Sequence, residues 1–161
     1  MTGVSLRRGD RTVLHDVDLS IPSRGVTVLV GPSGSGKSSL LRLMNRLEAP
    51  ETGTVRVLGE DIARRDPLEL RRQVGMVFQR PVPFAGSVRD NLRVAAPDAP
   101  ETDLIDALRR AGLDEGFIDR EATALSGGEA QRMCLARSLA AGPSVLLMDE
   151  PFSALDAAAS A

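Results

Sequence analysis

Residues 26–38 constrain this chain more than any others. Val26-Thr27-Val28-Leu29-Val30 is a short continuous apolar run, the pattern of a strand buried on both faces of a parallel sheet. Gly31-Pro32-Ser33-Gly34-Ser35-Gly36-Lys37-Ser38 follows at once, and Leu40, Leu41, Leu43, Met44 and Leu47 then recur at helical spacing. The loop fits G-x-x-x-x-G-K-S/T and sits between strand and helix, where a phosphate loop must sit. Glycines let the backbone wrap a phosphate with its N–H groups inward, and the helix beginning near Gly36 points its positive end at the anion. Lys37 bridges the outer phosphates, and Ser38 offers a hydroxyl to Mg²⁺. A bare glycine-rich turn is the alternative, but the pattern arises by chance in only roughly one chain per hundred.

Composition sharpens the reading of Lys37. Of the 20 Lys and Arg residues it is the one lysine, kept where a compact point charge on a thin stem has to enter a phosphate cradle. The balance of 20 basic against 22 acidic residues gives a net charge of −2, and no basic stretch is interleaved with aromatics, so nucleic acid is not an expected partner. At 161 residues, 42% apolar and 26% charged, the chain has the size and make-up of one folded domain. Its longest apolar runs are strand-sized, and Met1 to Asp10 is too polar for a signal peptide. The expectation is a cytoplasmic protein without direct membrane insertion. A single cysteine, Cys134, excludes an internal disulfide, and its place beside Met133 and Leu135 predicts a packing role.

Elsewhere the pattern alternates. Val13 to Ile21 opens a strand-rich section, Gly53 to Leu58 reads as a strand, Leu68 to Arg72 as a helix and Val74 to Phe78 as a strand. Asp98 with Glu101 predicts a capping box for a helix carrying Leu104, Ile105, Leu108 and Ala111, closed by Gly112. A further helix is predicted over 127–141, and a final strand over Ser144 to Asp149. His15 reads as a surface residue near a strand end, Arg64-Arg65 and Arg109-Arg110 as solvated helix faces, and Phe117 and Ile118 as packing residues.

Two further elements carry chemistry. Val145 to Met148 delivers Asp149 and Glu150 at the C-terminal end of a strand, the edge where parallel α/β sheets place ligands. Asp149 can hold a magnesium-bound water and Glu150 can polarise an attacking water as general base. Acidic residues after a buried strand also cap helices, so the phosphate loop upstream gives this pair its meaning. In Leu125-Ser126-Gly127-Gly128-Glu129, Ser126 and Glu129 form a capping box, and a capped helix start with two glycines is itself a phosphate site.

With Gln79 after a strand and Ser153-Ala154-Leu155-Asp156 beyond Glu150, these motifs resemble the nucleotide-binding subunits of ABC transporters, in family order and over nearly the whole chain. The resemblance implies an α/β P-loop NTPase with a RecA-like core, an antiparallel β region and a helical subdomain. Residues 1–79 and 143–161 would form the core, and 80–142 the helical part. It implies that Gly31, Pro32, Ser33, Gly34, Ser35, Gly36, Lys37, Ser38 and Ser39 bind ATP, and that Ser38, Gln79 and Asp149 serve Mg²⁺. Glu150 and Lys37 would be catalytic, with Asp156 in the D-loop. Ser126, Gly127 and Gly128 would act in trans across a head-to-tail homodimer, and a separate transmembrane permease would be the partner, leaving the subunit peripheral on the membrane's inner face. Within the family, Arg71 to Phe84 is similar to phosphate-import ATPases, whose pattern has Asn where Val82 stands, and Phe84 to Leu92 to short ATPases of metal or iron export. Gln79 to Leu92 would be the docking surface, with Phe84 as an exposed anchor.

The sequence also departs from the family. Arg8 stands where an aromatic usually stacks on adenine, and a guanidinium can stack with less area. Glu129 replaces the commoner Gln. The family's switch histidine lies on a strand beyond the D-loop, and the one histidine here is His15. The expectation is a C-terminally truncated, marginally stable fragment without the strands after the D-loop. In it Val26–Val30 and Val145–Met148 flank a gap or close on each other, nucleotide binds weakly and ATPase activity is poor. A hydrolytically silent binder and a soluble non-transport ABC ATPase are the competing functions.

Overall fold

The computed structural model describes residues 1–151, which fall into two compact units, Met1–Arg71 and a second beginning at Arg72. In the first, β1 (Thr2–Arg8) and β2 (Arg11–Val17) form an antiparallel hairpin that pairs Arg8 with Arg11 across Gly9 and Asp10. His15 is exposed on β2. A third strand, β3 (Thr52–Thr54), joins the free edge of β1, giving the order β2-β1-β3. The backbones approach so closely there that a Cβ on Gly53 would fall 2.3 Å from the Gly3 carbonyl oxygen. The single strand expected over 53–58 is in fact split. Leu58 and Gly59 both have positive φ, a tight turn that folds β4 (Arg56–Val57) onto β5 (Glu60–Asp61), so the run changes partner at Val55.

Helix α1 (Lys37–Met44) buries Leu40 and Leu43. Past its end, Arg71 of α2 (Pro67–Gln73) donates to the carbonyls of Asn45 at 3.2 Å and Arg46 at 2.7 Å, a cation placed on carbonyls left over by a helix. Asp66 starts α2 by accepting from the amides of Leu68 and Glu69, both at 2.9 Å.

The run Val26–Val30 corrects the sequence reading. It lies outside every ladder among the described residues, and Val26, Val28 and Val30 are 90%, 74% and 90% exposed. A strand is not a local structure: its apolar side chains say that it will be covered, and only neighbouring strands can cover it.

In the second unit β6 (Val74–Val77) and β7 (Val145–Met148) pair in parallel, Val74 with Val145 through Val77 with Met148. Three helices, α3 (Val88–Ala95), α4 (Glu101–Arg110) and α5 (Gly127–Ala140), close on fully buried Leu92, Leu104, Leu108 and Met133. Ile118 and Cys134 are buried in the same cluster and Phe117 packs against it. The predicted capping box at Asp98 is absent. Helix α4 begins at Glu101 with Pro100 at its N-cap and no side-chain cap. For Asp98 to cap, Ala99 would have to be helical, and a residue preceding proline is driven out of that region. The other end forms as expected. Gly112, at φ 79°, lets the amide of Leu113 reach the Leu108 carbonyl and its own amide reach that of Arg109, each at 3.0 Å.

Candidate nucleotide site

The glycine loop is fully shaped. Gly34 and Gly36 have φ of 78° and 93°, left-handed values that suit glycine. Gly36 is the N-cap of α1 and makes no side-chain cap, so the first amides of the helix face the loop without a protein partner of that kind. A Cβ at Gly36 would stand 2.8 Å from Leu14 Cδ2 and 3.2 Å from the Val13 carbonyl oxygen, so β2 presses directly against the loop. Lys37 folds back and donates from Nζ to the carbonyl oxygens of Gly31 at 2.8 Å and Pro32 at 3.0 Å. An ammonium has three donors, which leaves one for an anion in the ring of amides. Ser38 follows Lys37 on the first turn of α1, and Ser39 is buried. Arg8, at the end of β1, is ion-paired with Glu48, which Arg42 also approaches at 3.6 Å.

The second unit gathers Gln79, Asp149 and Glu150. The β6–β7 ladder extends by one bond, from the Asp149 amide to the Val77 carbonyl at 3.0 Å, and this holds Asp149 at 5% exposure at the strand end. Glu150 turns out of the strand at φ 45°, and Gln79 Nε2 donates to its Oε2 at 2.8 Å. Gln79 and Asp149 each offer an oxygen donor of the hard kind that suits Mg²⁺, as does Ser38 in the first unit. Asp156 and the rest of 153–156 lie outside the described residues.

Ser126 caps α5 as expected. Its hydroxyl accepts from the Glu129 amide at 3.4 Å while the Glu129 carboxylate accepts from the Ser126 amide at 2.8 Å. Hydrogen bonds to the carboxylate from the Ser126 hydroxyl and from the Ser126 amide hold the Glu129 carboxyl below its ordinary value. Ser126 and Gly127 are exposed. From the next turn of α5, buried Gln131 donates to the Phe78 carbonyl at 2.9 Å and so ties this helix to the segment that carries Gln79.

Sequence reasoning missed the support beneath residues 82–91. Ser87 and Asp90 form a complete capping box on α3. Buried Asn91 accepts from the Phe84 amide at 2.8 Å and donates to the Phe84 carbonyl at 3.0 Å. Arg137 of α5 donates to Asn91 Oδ1 and to the Val82 carbonyl, both at 3.1 Å, and its guanidinium lies 4.4 Å from the centre of the Phe84 ring. Phe84 remains 44% exposed. Ser87-x-x-Asp90 was a readable signal, whereas a contact between residues 84 and 137 leaves no local trace.

The profile of the family described as ABC transporter matches residues 14–153. Protein STAR1 of Oryza sativa subsp. japonica is 50% identical over 97% of this chain, and ABC transporter I family member 17 of Arabidopsis thaliana is 46% identical over 89%. The chain spans about half the length of these relatives, 46% and 56% respectively. Among solved structures, a bacterial Atm1-family ABC exporter with ATP bound superposes with a TM-score of 0.89 at 31% identity, covering 99% of this chain and 30% of that one. The cbiO1 protein of Clostridium perfringens, part of the ABC transporter complex cbiONQ, gives 0.82 at 29% identity, covering 94% and 64%.

Proposed function

The chain belongs to the ABC transporter family and has its P-loop ATPase fold, and from that premise we propose that it is the ATP-binding and ATP-hydrolysing part of a transporter whose permease is a separate chain. The loop from Gly31 to Ser38 carries the reading, with two left-handed glycines, an N-cap without a side chain and an ammonium already turned inward. Its amides and Lys37 bind and orient the β- and γ-phosphates, and Ser39 and the Arg8 guanidinium complete the contacts to the nucleotide. Ser38, Gln79 and Asp149 would hold Mg²⁺, which would neutralise phosphate charge there. Glu150 accepts the proton of the attacking water, and Gln79 orients that carboxylate through the hydrogen bond it already makes. Ser126, Gly127 and Gly128 serve the nucleotide of a second copy arranged head to tail, and Asp156 is the D-loop residue. Phe84 is the apolar anchor for the permease, which brings this subunit to the membrane surface. No helix of the described residues is long and apolar enough to cross a membrane.

The exposed run ahead of the loop favours a second reading for the chain taken alone, a nucleotide binder with little turnover. Magnesium-dependent phosphate release from the purified chain, measured beside Glu150→Gln, tests both. Activity lost in the variant with ATP binding kept supports hydrolysis with Glu150 as base. Binding without turnover in the unaltered chain supports the silent reading, and equal loss of binding and turnover in Glu150→Gln refutes the role of the base.

A further inference from the structure

We propose that Arg11 is a further phosphate-binding cation beside Lys37, a guanidinium on β2 that grips the polyphosphate of the nucleotide held by the loop from Gly31 to Ser38. The inference rests on the reading of that loop as a phosphate site. Strand β2 lies against the loop at two places. At Gly36 the contact is backbone and aliphatic, from Val13 and Leu14. At Gly34 it is cationic, because Arg11 Nη2 stands 3.9 Å from where a Cβ on that glycine would be. The middle glycine of the loop therefore has a guanidinium at its side.

Arg11 and Arg8 face each other at the same end of the hairpin, and their situations are opposite. Arg8 is engaged by Glu48. Among the described residues the Arg11 side chain has no ion pair and no hydrogen bond, and it is exposed to solvent. An unpaired guanidinium next to a phosphate loop has a planar fork of donors matched to phosphate oxygens. Lys37 has already committed two of its three donors to loop carbonyls, so the phosphate oxygens beside Gly34 have room for the donors of a second side chain. Arg11 contributes that charge to ground-state binding, in proportion to the phosphates present.

Calorimetric titration of the full chain with ATP, ADP and adenosine tests this. Arg11→Ala is expected to weaken ATP about tenfold, ADP less and adenosine not at all, and to reduce the salt dependence of ATP binding. Arg11→Lys should restore part of the loss, while Arg64→Ala, removing an exposed charge elsewhere, should restore nothing and cost nothing. Circular dichroism confirms that each variant is folded. If Lys37→Ala abolishes ATP binding and Arg11→Ala leaves it unchanged, the Arg11 inference falls and the phosphate loop stands. An equal loss of adenosine and ATP in Arg11→Ala would make Arg11 a contact to the base and overturn the grip on phosphate. If Lys37→Ala is also without effect, or the unaltered chain takes up no ATP, the loop reading falls and takes this inference with it.

Discussion

Residues 26–38 and residues 87–140 solve the same problem with different success. Both join apolar runs to helix starts. In the second region every large apolar side chain of α3, α4 and α5 that faces inward finds the others, and Leu92, Leu104, Leu108 and Met133 are fully buried. In the first, the glycine loop and its helix take their full shape while the valines that lead into them stand in solvent. The difference teaches which features are local. Left-handed glycines, a helix start and a lysine hydrogen-bonded five and six residues back need only nearby chain. A buried strand needs a ladder on each side, and its side chains cannot supply one.

The sharpest way to break this comparison is to remove packing from each region. Leu108→Ala is expected to destabilise the chain by about 2–5 kcal/mol, through lost burial and the cavity left behind. Val28→Thr should change stability by less than about 0.5 kcal/mol, since there is little burial to lose. With no Trp and no Tyr in the chain, urea unfolding followed by far-ultraviolet circular dichroism is the suitable measurement. A large effect at Val28 would mean that the run is covered in solution.

The helix starts sharpen the contrast further. Ser126→Ala removes the cap of α5 and should cost about 1 kcal/mol near neutral pH. The Glu129 carboxyl is held below its ordinary 4.5 by the Ser126 hydrogen bonds, so it favours the folded state where it is ionised. That contribution is complete above about pH 4.5 and is lost as the pH falls through the lowered value. Asp90 behaves alike, held down by Ser87 on α3. The gap in stability between the unaltered chain and Ser126→Ala should therefore narrow in acid, and a gap constant down to pH 2 would refute the box as its source. The start of α1 has no such carboxylate and should show no such dependence.

The smallest effect belongs to Arg137. Its replacement by Ala should leave the core nearly as stable but speed hydrogen exchange of the Phe84 amide, which is held by Asn91, which Arg137 in turn holds. Amides inside α5, such as Ala130 to the Ser126 carbonyl, should keep their protection. Unchanged exchange at Phe84 would show that Asn91 suffices.

What could be read from the sequence follows the same division. The phosphate loop, the boundaries of α5, the capping box at Ser126 and the strand carrying Asp149 to its end were legible because each is written in a few consecutive residues. The wrong box at Asp98 was a correct pattern cancelled by one proline, and the strand run at 53–58 was divided by a turn at Leu58-Gly59. The bond from Gln79 to Glu150 and the approach of Arg11 to Gly34 join residues 71 and 23 positions apart, and nothing in either neighbourhood announces them.

The bare valines at 26–30 also set how this chain behaves in company. Five consecutive residues without charge, mostly β-branched, offer an unladdered backbone and an apolar surface to whatever molecule comes near. That is the composition from which intermolecular strands and fibrils grow. Crowding the protein is therefore expected to favour self-association through this run, led by the exposed Val26, Val28 and Val30.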